Sequence, residues 1–295
     1  MKVLISGASG LMGRNLVRSL TEAGHEVLRL VRAADSVGIP WDPRGGELDR
    51  SPLEGFDAVV HLAGESIAEG RWTVEKKKRI RDSRIEGTNL LARSLSELDQ
   101  PPKVLVCASA VGFYGDRGEE ILDESAPPGV GFLAEVCREW EAAADPAREK
   151  GIRVVHLRFG VVLSGEGGAL AKMLLPFRLG LGGILGDGSQ YMSWIALDDA
   201  VGIVLHAISH EDLRGAVNAV SPNPVTNREY TKTLGGVLRR PTVIPLPSFG
   251  ARLAFGEMAD ELLLASVRVS PKRLLETGYD FRFAELEEAL VQTTA

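Results

Sequence analysis

The sequence is poor in cysteine and has no long apolar stretch, and each shortage excludes a class of protein. The two cysteines among 295 residues, Cys107 and Cys137, cannot build a disulfide framework, and no group of Cys and His residues has the spacing of a zinc site. No apolar run approaches the roughly 20 residues that a membrane-spanning helix needs. The N-terminal residues contain no signal-peptide cleavage region. We therefore expect a soluble, cytoplasmic protein without a metal site.

An excess of basic residues is also missing. The chain has 34 basic and 40 acidic residues and a formal net charge of −6, which argues against nonspecific binding to nucleic acid or to an anionic membrane. The strongest basic run, Glu75–Arg81, spreads around the cylinder of a predicted helix, so we interpret it as a solvated face. The expected partner is a small-molecule substrate.

Alternating apolar segments dominate the first half of the chain. Five short β-branched segments predict strands buried on both faces, namely Lys2–Ser6, Glu26–Val31, Ala58–Leu62, Lys103–Ala108 and Arg153–Leu157. Between them, apolar positions at three-to-four spacing predict the helices Leu11–Ala23, Val74–Leu98 and Phe132–Lys150. Strands that alternate with helices indicate an α/β fold with a parallel sheet and right-handed crossovers.

This alternation loosens after about residue 164. Two glycine-rich loops, Ser164–Ala169 and Gly180–Ser189, are typical of binding segments. Helices are then predicted near Asp199–Ser209, with Asp198 or Asp199 as the N-cap, at Thr226–Leu238, and in short pieces up to Leu275. We predict a first domain over 1–164 and a smaller, mainly helical lobe over 165–295, with the site in the cleft between them.

A glycine turn directly follows the first predicted strand and opens the first helix. Glycines at this place allow a tight turn, close approach of the backbone to a pyrophosphate, and close packing of helix on strand. The helix N-terminus then offers free N–H groups to the phosphates. A plain strand-to-helix turn is the alternative, but the position favours a dinucleotide, bound by Gly7, Ser9, Gly10, Leu11, Met12 and Gly13.

The end of the second predicted strand indicates which dinucleotide is bound. An acidic residue there would bind both ribose hydroxyls of NAD, but the chain has Val31 and Arg32 instead. An arginine can stack on adenine and pair with a 2′-phosphate, so the sequence favours NADP(H) over NAD(H). The alternative for Arg32 is a solvated surface residue.

The glycine turn, Asp57–Gly64 and Ser109–Gly115 together resemble the extended short-chain dehydrogenase/reductase superfamily. Further motifs are similar to one atypical branch, the "epimerase family" proteins with a C-terminal domain of unknown function; they are Gly70–Trp72, Ser83-Arg84, Trp140-Glu141, Phe177–Gly183 and Pro271–Leu275. The resemblance implies a Rossmann-type doubly wound sheet completed by parts of 190–220, and a C-terminal domain at about 246–293. It also implies that the cofactor contacts Leu62, Ala63, Gly64, Arg79, Arg84 and Val161.

The superfamily's catalytic residues are only partly present. Its members use a Ser or Thr with a Tyr and a Lys, and Ser109 occupies the matching place, where we expect it near the nicotinamide; a serine that caps the strand end is the alternative. The Tyr-x-x-x-Lys pair should open the next long helix, but Phe132 and Val136 stand there. Tyr114 is a hypothetical substitute acid; alternatively it packs against the loop with its hydroxyl on a backbone group.

Two further departures concern the substrate. Arg84 replaces the superfamily's Asn before Gly-Thr, and it could hold a phosphate or carboxylate, or form a salt bridge near Glu86. Leu157–Val161 lacks the Asn that sugar-nucleotide enzymes carry. We expect an NADP(H)-dependent oxidoreductase or epimerase of atypical type; a non-catalytic NADP(H)-binding regulatory or interaction protein is the alternative. By analogy, the predicted helices Val74–Leu98 and Phe132–Lys150 could form a homodimer.

Overall fold

The central layer of the molecule is an eight-stranded sheet, seen in a computed structural model that describes residues 1–32 and 37–294. The strands are β1 (Lys2–Ser6), β2 (Glu26–Val31), β3 (Ile39–Asp42), β4 (Glu47–Leu48), β5 (Ala58–His61), β6 (Val104–Ala110), β7 (Ile121–Leu122), β8 (Arg153–Phe159), β9 (Val161–Leu163), β10 (Tyr191–Met192), β11 (Trp194–Ala196), β12 (Gly215–Ala219), β13 (Val225–Thr226) and β14 (Arg268–Val269). The central sheet has the order β12-β8-β6-β5-β1-β2-β3-β4, and every pairing in it except β3–β4 is parallel.

Some helices of the described residues cover the two faces of this sheet, and others pack together beside it. These helices are α1 (Leu11–Glu22), α2 (Val74–Ser96), α3 (Phe132–Ala142), α4 (Asp145–Glu149), α5 (Gly168–Arg178), α6 (Leu197–Ser209), α7 (Asn227–Leu238), α8 (Ser248–Phe255), α9 (Lys272–Glu276) and α10 (Leu286–Thr294). Val3 and Ile5 of β1 pack among residues of α1 and α6 on one face, whereas Leu4 packs with Leu91 of α2 on the other. Because successive strand residues point to opposite faces, both faces of β1 are buried, as in a doubly wound sheet.

The predicted strands and the predicted fold class are confirmed, but burial on both faces is wrong for β2, where Glu26 and Arg29 are exposed. One predicted helix is divided. The segment Phe132–Lys150 forms α3 and α4, with a break at Ala143 and Ala144. Pro146 lies in the first turn of α4, where its missing N–H does no harm, but it cannot continue the hydrogen bonding of α3. The divided helix follows from this one proline.

The predicted N-cap of α6 is wrong. The helix begins at Leu197, and its N-cap is Ala196, without a side-chain hydrogen bond. Asp199 is 1% exposed, and its carboxylate instead accepts hydrogen bonds from the backbone N–H groups of Arg282 (2.8 Å) and Phe283 (2.9 Å). This aspartate therefore fastens the C-terminal segment to the α6 side of the sheet.

The second half of the chain returns to the sheet and then covers its carboxyl edge. β12 joins the central sheet beside β8, and β11 pairs in parallel with β9 just beyond β8. A separate apolar cluster around Trp194 joins α5, α7 and α10. Within the described residues, no helix combines the length and the apolar character required to cross a membrane.

Candidate functional site

The glycine turn lies at the carboxyl end of β1, where backbone segments approach closely. Gly7 has φ +71°, and a Cβ there would lie 2.7 Å from the backbone nitrogen of Ala63. The N–H of Gly10 donates to the carbonyl of Gly7 (3.0 Å), and a Cβ on Gly13 would lie only 2.2 Å from that carbonyl oxygen. The turn therefore excludes side chains at Gly7 and Gly13 on steric grounds.

The N-terminus of α1 is open to a ligand. Gly10 is the N-cap and provides no side-chain acceptor for the first amides of the helix. Ser9 and Gly10 are exposed, and Leu11 and Met12 are partly buried. The positive end of the helix dipole and the uncapped N–H groups together suit a pyrophosphate.

The end of β5 is held next to this turn by a buried hydrogen bond. Ser6 Oγ and His61 Nδ1 are 2.6 Å apart, and the backbone N–H of Ala63 donates to the same hydroxyl at 3.4 Å. Burial lowers the pKa of His61 to about 4, so this imidazole is neutral and structural. The arrangement positions Leu62 to Gly64, of which Gly64 is exposed, along the edge predicted to lie under the cofactor.

The remaining predicted cofactor residues lie on either side of the turn. Arg32 directly follows β2 and is exposed, whereas Val31 is partly buried. Val161 begins β9 on the other side of the sheet, and its N–H donates to the carbonyl of Ser193 (2.8 Å). An exposed arginine at the end of β2 is free to meet an adenosine phosphate.

The basic run on α2 is not simply a solvated face, as we had interpreted it. Lys76 is 5% exposed, and its Nζ donates to Glu65 Oε1 at 2.9 Å. Arg79 approaches the same carboxylate at 3.5 Å. The hydrogen bond from Lys76 is the main cause that lowers the pKa of Glu65. The carboxylate of Glu65, which directly follows the Ala63-Gly64 segment, thus pairs with both Lys76 and Arg79.

Arg84 lies on the inner side of α2 and is held on three sides. Its Nη1 donates to the carbonyls of Glu65 and Ile80, each at 3.0 Å. Its Cζ lies 5.0 Å from the centroid of the Trp140 ring, and a Cβ on Gly64 would lie 3.4 Å from the same Cζ. Among the described residues, no carboxylate lies within salt-bridge distance of Arg84, so the alternative of a salt bridge near Glu86 does not occur.

Ser109 belongs to a buried polar network that sequence reasoning missed. Ser109 is 3% exposed, and its hydroxyl donates to Glu141 Oε1 at 2.7 Å. The Arg158 guanidinium binds both oxygens of Glu141, each at 2.8 Å. Burial raises the pKa of Glu141, but the bonds from Arg158 outweigh it, so the pKa lies below its usual value. The hydroxyl of Ser109 is therefore committed to a carboxylate on α3.

Tyr114 is the far end of the same network. Its side chain is fully buried, and its hydroxyl donates to Asn218 Oδ1 (2.7 Å) and accepts from Arg158 Nη1 (2.9 Å). The carbonyl of Asp123 lies 3.2 Å from this hydroxyl, and burial raises the pKa of the phenol. This geometry agrees with the structural alternative for Tyr114, and a catalytic role for Ser109 or Tyr114 stays a prediction.

The start of α3, where the superfamily carries its Tyr and Lys, is occupied by contacts of another kind. The Phe132 ring packs edge-on against Trp72, with 5.4 Å between the ring centroids. Lys77 Nζ lies 4.5 Å from the centroid of the Phe132 ring. Glu261, from the second half of the chain, accepts the backbone N–H of Phe132 at 3.0 Å and that of Leu133 at 3.1 Å. This helix N-terminus is therefore already occupied by a carboxylate of the chain itself.

Comparisons with known proteins identify the family. A family model described as the NAD dependent epimerase/dehydratase family matches residues 3–219. The chain belongs to this family. A second model, a domain of unknown function, matches residues 246–293, and the predicted resemblance is confirmed.

Full-length relatives agree with this assignment. An epimerase family protein of Mycobacterium tuberculosis is 45% identical over 294 residues, covering 99% of this chain and 97% of the relative. The human epimerase family protein SDR39U1 is 40% identical over 298 residues and is covered completely by the match.

Two solved structures share the fold at similar identity. The crystal structure of human SDR39U1 (isoform 2) with NADPH has a TM-score of 0.91 at 39% identity, covering 99% of each chain. A nucleoside-diphosphate sugar epimerase from Corynebacterium glutamicum has a TM-score of 0.84 at 39% identity, covering 99% of this chain and 58% of that one.

Proposed function

We propose that this protein binds NADP(H) at the carboxyl edge of its central sheet. The observation that carries the proposal is the N-terminus of α1, which follows a turn closed to side chains at Gly7 and Gly13 and has no side-chain cap. The amides after Gly10 hold the pyrophosphate, and Arg32 binds the 2′-phosphate of the adenosine half. Family membership and the NADPH-bound human relative support this choice of cofactor.

We further propose that the protein is an oxidoreductase or epimerase-like enzyme of atypical type. The bound cofactor supplies or accepts a hydride at its nicotinamide. The residues of this chain bind and orient the reactants, but the two superfamily positions on α3 contribute no proton, because Phe132 has no acidic hydrogen and Val136 has no charge. The proton therefore comes from a group other than the usual tyrosine.

One observation favours a second candidate, a non-catalytic NADP(H)-binding regulatory or interaction protein. The two hydroxyls nearest the expected reaction centre, on Ser109 and Tyr114, are buried and bonded within the protein. With Phe132 and Val136 in place of the Tyr and Lys, Ser109 is the one part of the usual proton relay that is present at its matching position, and its hydroxyl is bonded to Glu141. Such a protein would bind the dinucleotide without turnover.

Two measurements test these proposals. Arg32→Ala should weaken NADPH binding by about 10- to 100-fold, the value of a charge-assisted phosphate contact, and leave NADH binding unchanged. Arg29→Ala, the same change at an exposed position of β2, is the control and should alter neither. Equal loss for NADPH and NADH in Arg32→Ala would contradict the assignment of the 2′-phosphate.

Turnover distinguishes the two candidates. NADPH oxidation is measured across a panel of aldehydes, ketones and sugar nucleotides with the full chain. Oxidation that depends on one substrate class supports the enzyme. Tight binding without oxidation of any panel member, and without an effect of Ser109→Ala on binding, supports the regulatory or interaction protein.

A further inference from the structure

Arg84 is a partly buried cation that the proposed function has not yet used. Its guanidinium lies between Gly64 and the Trp140 ring, and two carbonyl contacts fix one edge of it. Trp140 is 6% exposed and is itself held by a hydrogen bond from its Nε1 to Thr88 (2.9 Å). These restraints make the position of the charge rigid before any ligand binds.

Within residues 1–32 and 37–294, no carboxylate lies within salt-bridge distance of this guanidinium. The carboxylate of Glu65, whose backbone carbonyl accepts a hydrogen bond from Arg84, is already bonded to Lys76 at 2.9 Å and lies 3.5 Å from Arg79. Burial raises the pKa of the neighbouring Cys137 thiol to about 12, so the thiol is neutral at physiological pH. The surroundings of Arg84 therefore carry a net positive charge.

The position of Arg84 in the fold places this charge on one side of the glycine turn. Gly64 follows β5, and α3, which carries Trp140, packs against β6; both strands lie on the opposite side of β1 from β2. If Arg32 after β2 binds the adenosine phosphate, a dinucleotide whose pyrophosphate lies on the turn extends its nicotinamide half toward β5 and β6. Arg84 lies at that end.

Arg84 also lies beside the place where the superfamily's lysine is missing. Val136 occupies the lysine position on α3, and Trp140, on which Arg84 stacks, is one helical turn further along the same helix. Arg84 of α2 thus places a positive charge beside α3, which has Val136 at the superfamily's lysine position.

Resting on the proposed cofactor site, we propose that Arg84 is the cationic residue at the nicotinamide end of the cofactor and makes the protein prefer NADPH to NADP+. The nicotinamide ring is positively charged when oxidised and neutral when reduced. A fixed cation nearby repels only the oxidised form, whereas contacts with phosphates are the same for both forms. Arg84 therefore acts on the ratio of the two dissociation constants.

The test measures the dissociation constants of NADPH and NADP+ by calorimetry for the full chain and its variants. The wild type should bind NADPH more tightly, and Arg84→Met should reduce the ratio of Kd(NADP+) to Kd(NADPH) by about tenfold, as expected for removal of a unit charge at a few ångströms. Arg84→Lys keeps the charge and should retain the preference. Arg93→Met, the same change at an exposed position on α2, is the matched control and should leave the ratio unchanged.

Three outcomes would overturn the inference. The first is a wild type that binds NADPH and NADP+ equally tightly. The second is an Arg84→Met variant that binds both forms more weakly by the same factor, and the third is an Arg84→Met variant with both dissociation constants unchanged. Equal weakening would mean that Arg84 binds a group common to both forms, such as a phosphate. Should Arg84→Met fail to fold, Arg84→Gln provides a second neutral variant that keeps amide donors. A wild type that binds neither form refutes the proposed function itself, which is a distinguishable failure.

Discussion

Gly13→Ala is a sharp test of the glycine turn, because the structure leaves no room for one methyl group. The new Cβ would lie 2.2 Å from the Gly7 carbonyl oxygen and 2.7 Å from the Ala8 Cα. Both neighbours are backbone atoms, so no side-chain rotation can relieve the contact. The helix must move away from the turn by about 1 Å to restore an ordinary contact distance.

A displacement of this size acts on both stability and affinity. Overpacking of this kind costs about 1–3 kcal/mol of unfolding free energy. A movement of about 1 Å also takes an amide–phosphate hydrogen bond beyond its effective range. Each charge-assisted bond lost is worth about 1.5–3 kcal/mol, so we expect the Kd for NADPH to rise at least about tenfold.

The matched control is Gly236→Ala in α7, where the new Cβ would have no atom within 4 Å apart from the adjoining backbone of its own helix. Alanine is the better helix former, so this variant should be unchanged or more stable by up to about 1 kcal/mol, with normal NADPH binding. Chemical unfolding and NADPH titration of both variants give the comparison. If Gly13→Ala bound NADPH as tightly as Gly236→Ala, the proposed contact between the turn and the pyrophosphate would be refuted.

Two further predictions concern buried polar groups. Glu141→Gln leaves the Arg158 guanidinium, which is 4% exposed, without its counter-charge and should lower the unfolding free energy by about 3–5 kcal/mol in chemical unfolding. Ser109→Ala removes one hydrogen bond and should lower it by about 1 kcal/mol. Similar losses for the two variants would contradict the ion pair. The folded-state pKa of His61 is lowered to about 4, so its contribution to stability is complete above about pH 6.5 and is lost as the pH falls toward 4. Between about pH 8 and about pH 5, His61→Gln should therefore lose about 2 kcal/mol less unfolding free energy than the wild type. The buried His156 is present in both proteins, so its titration cancels in this comparison. An equal pH dependence of the two proteins would contradict a neutral buried imidazole at position 61.

Much of the fold could be predicted from the sequence because its central strands carry a strong local signal. The segments Lys2–Ser6 and Glu26–Val31 combine valine or isoleucine with leucine and are bounded by glycine or polar residues, so their predicted and observed bounds coincide. Strands of two or three residues, such as β10 and β14, carry too little pattern to be detected. α5 was missed as a helix because Gly168 at its start and Pro176 inside it are both typical of loops.

The same distinction applies to the site: residues next to a predicted strand could be assigned from the sequence, whereas residues brought together by tertiary contacts could not. The glycine turn and Arg32 are adjacent in sequence to the strands that position them, so the spacing alone indicates their role. Ser109, Glu141 and Arg158 come from three separate elements, and no sequence spacing joins them. The hydrogen bond from the Ser109 hydroxyl to Glu141 of α3 could therefore be identified only from the structure.

Arg158, which is buried, and Arg84, which is partly buried, differ in a way that connects stability with ligand binding. Arg158 has a carboxylate at 2.8 Å, whereas Arg84, within the described residues, has only carbonyl acceptors. A cation without a counter-ion repels a second positive charge placed beside it, so the oxidised nicotinamide is bound less tightly than the neutral reduced ring. The ligand that binds the folded state more tightly also stabilises it more, by the linkage between binding and folding. NADPH should therefore raise the unfolding temperature of the wild type more than NADP+ at equal concentration, and this difference should shrink when Arg84 is replaced by methionine.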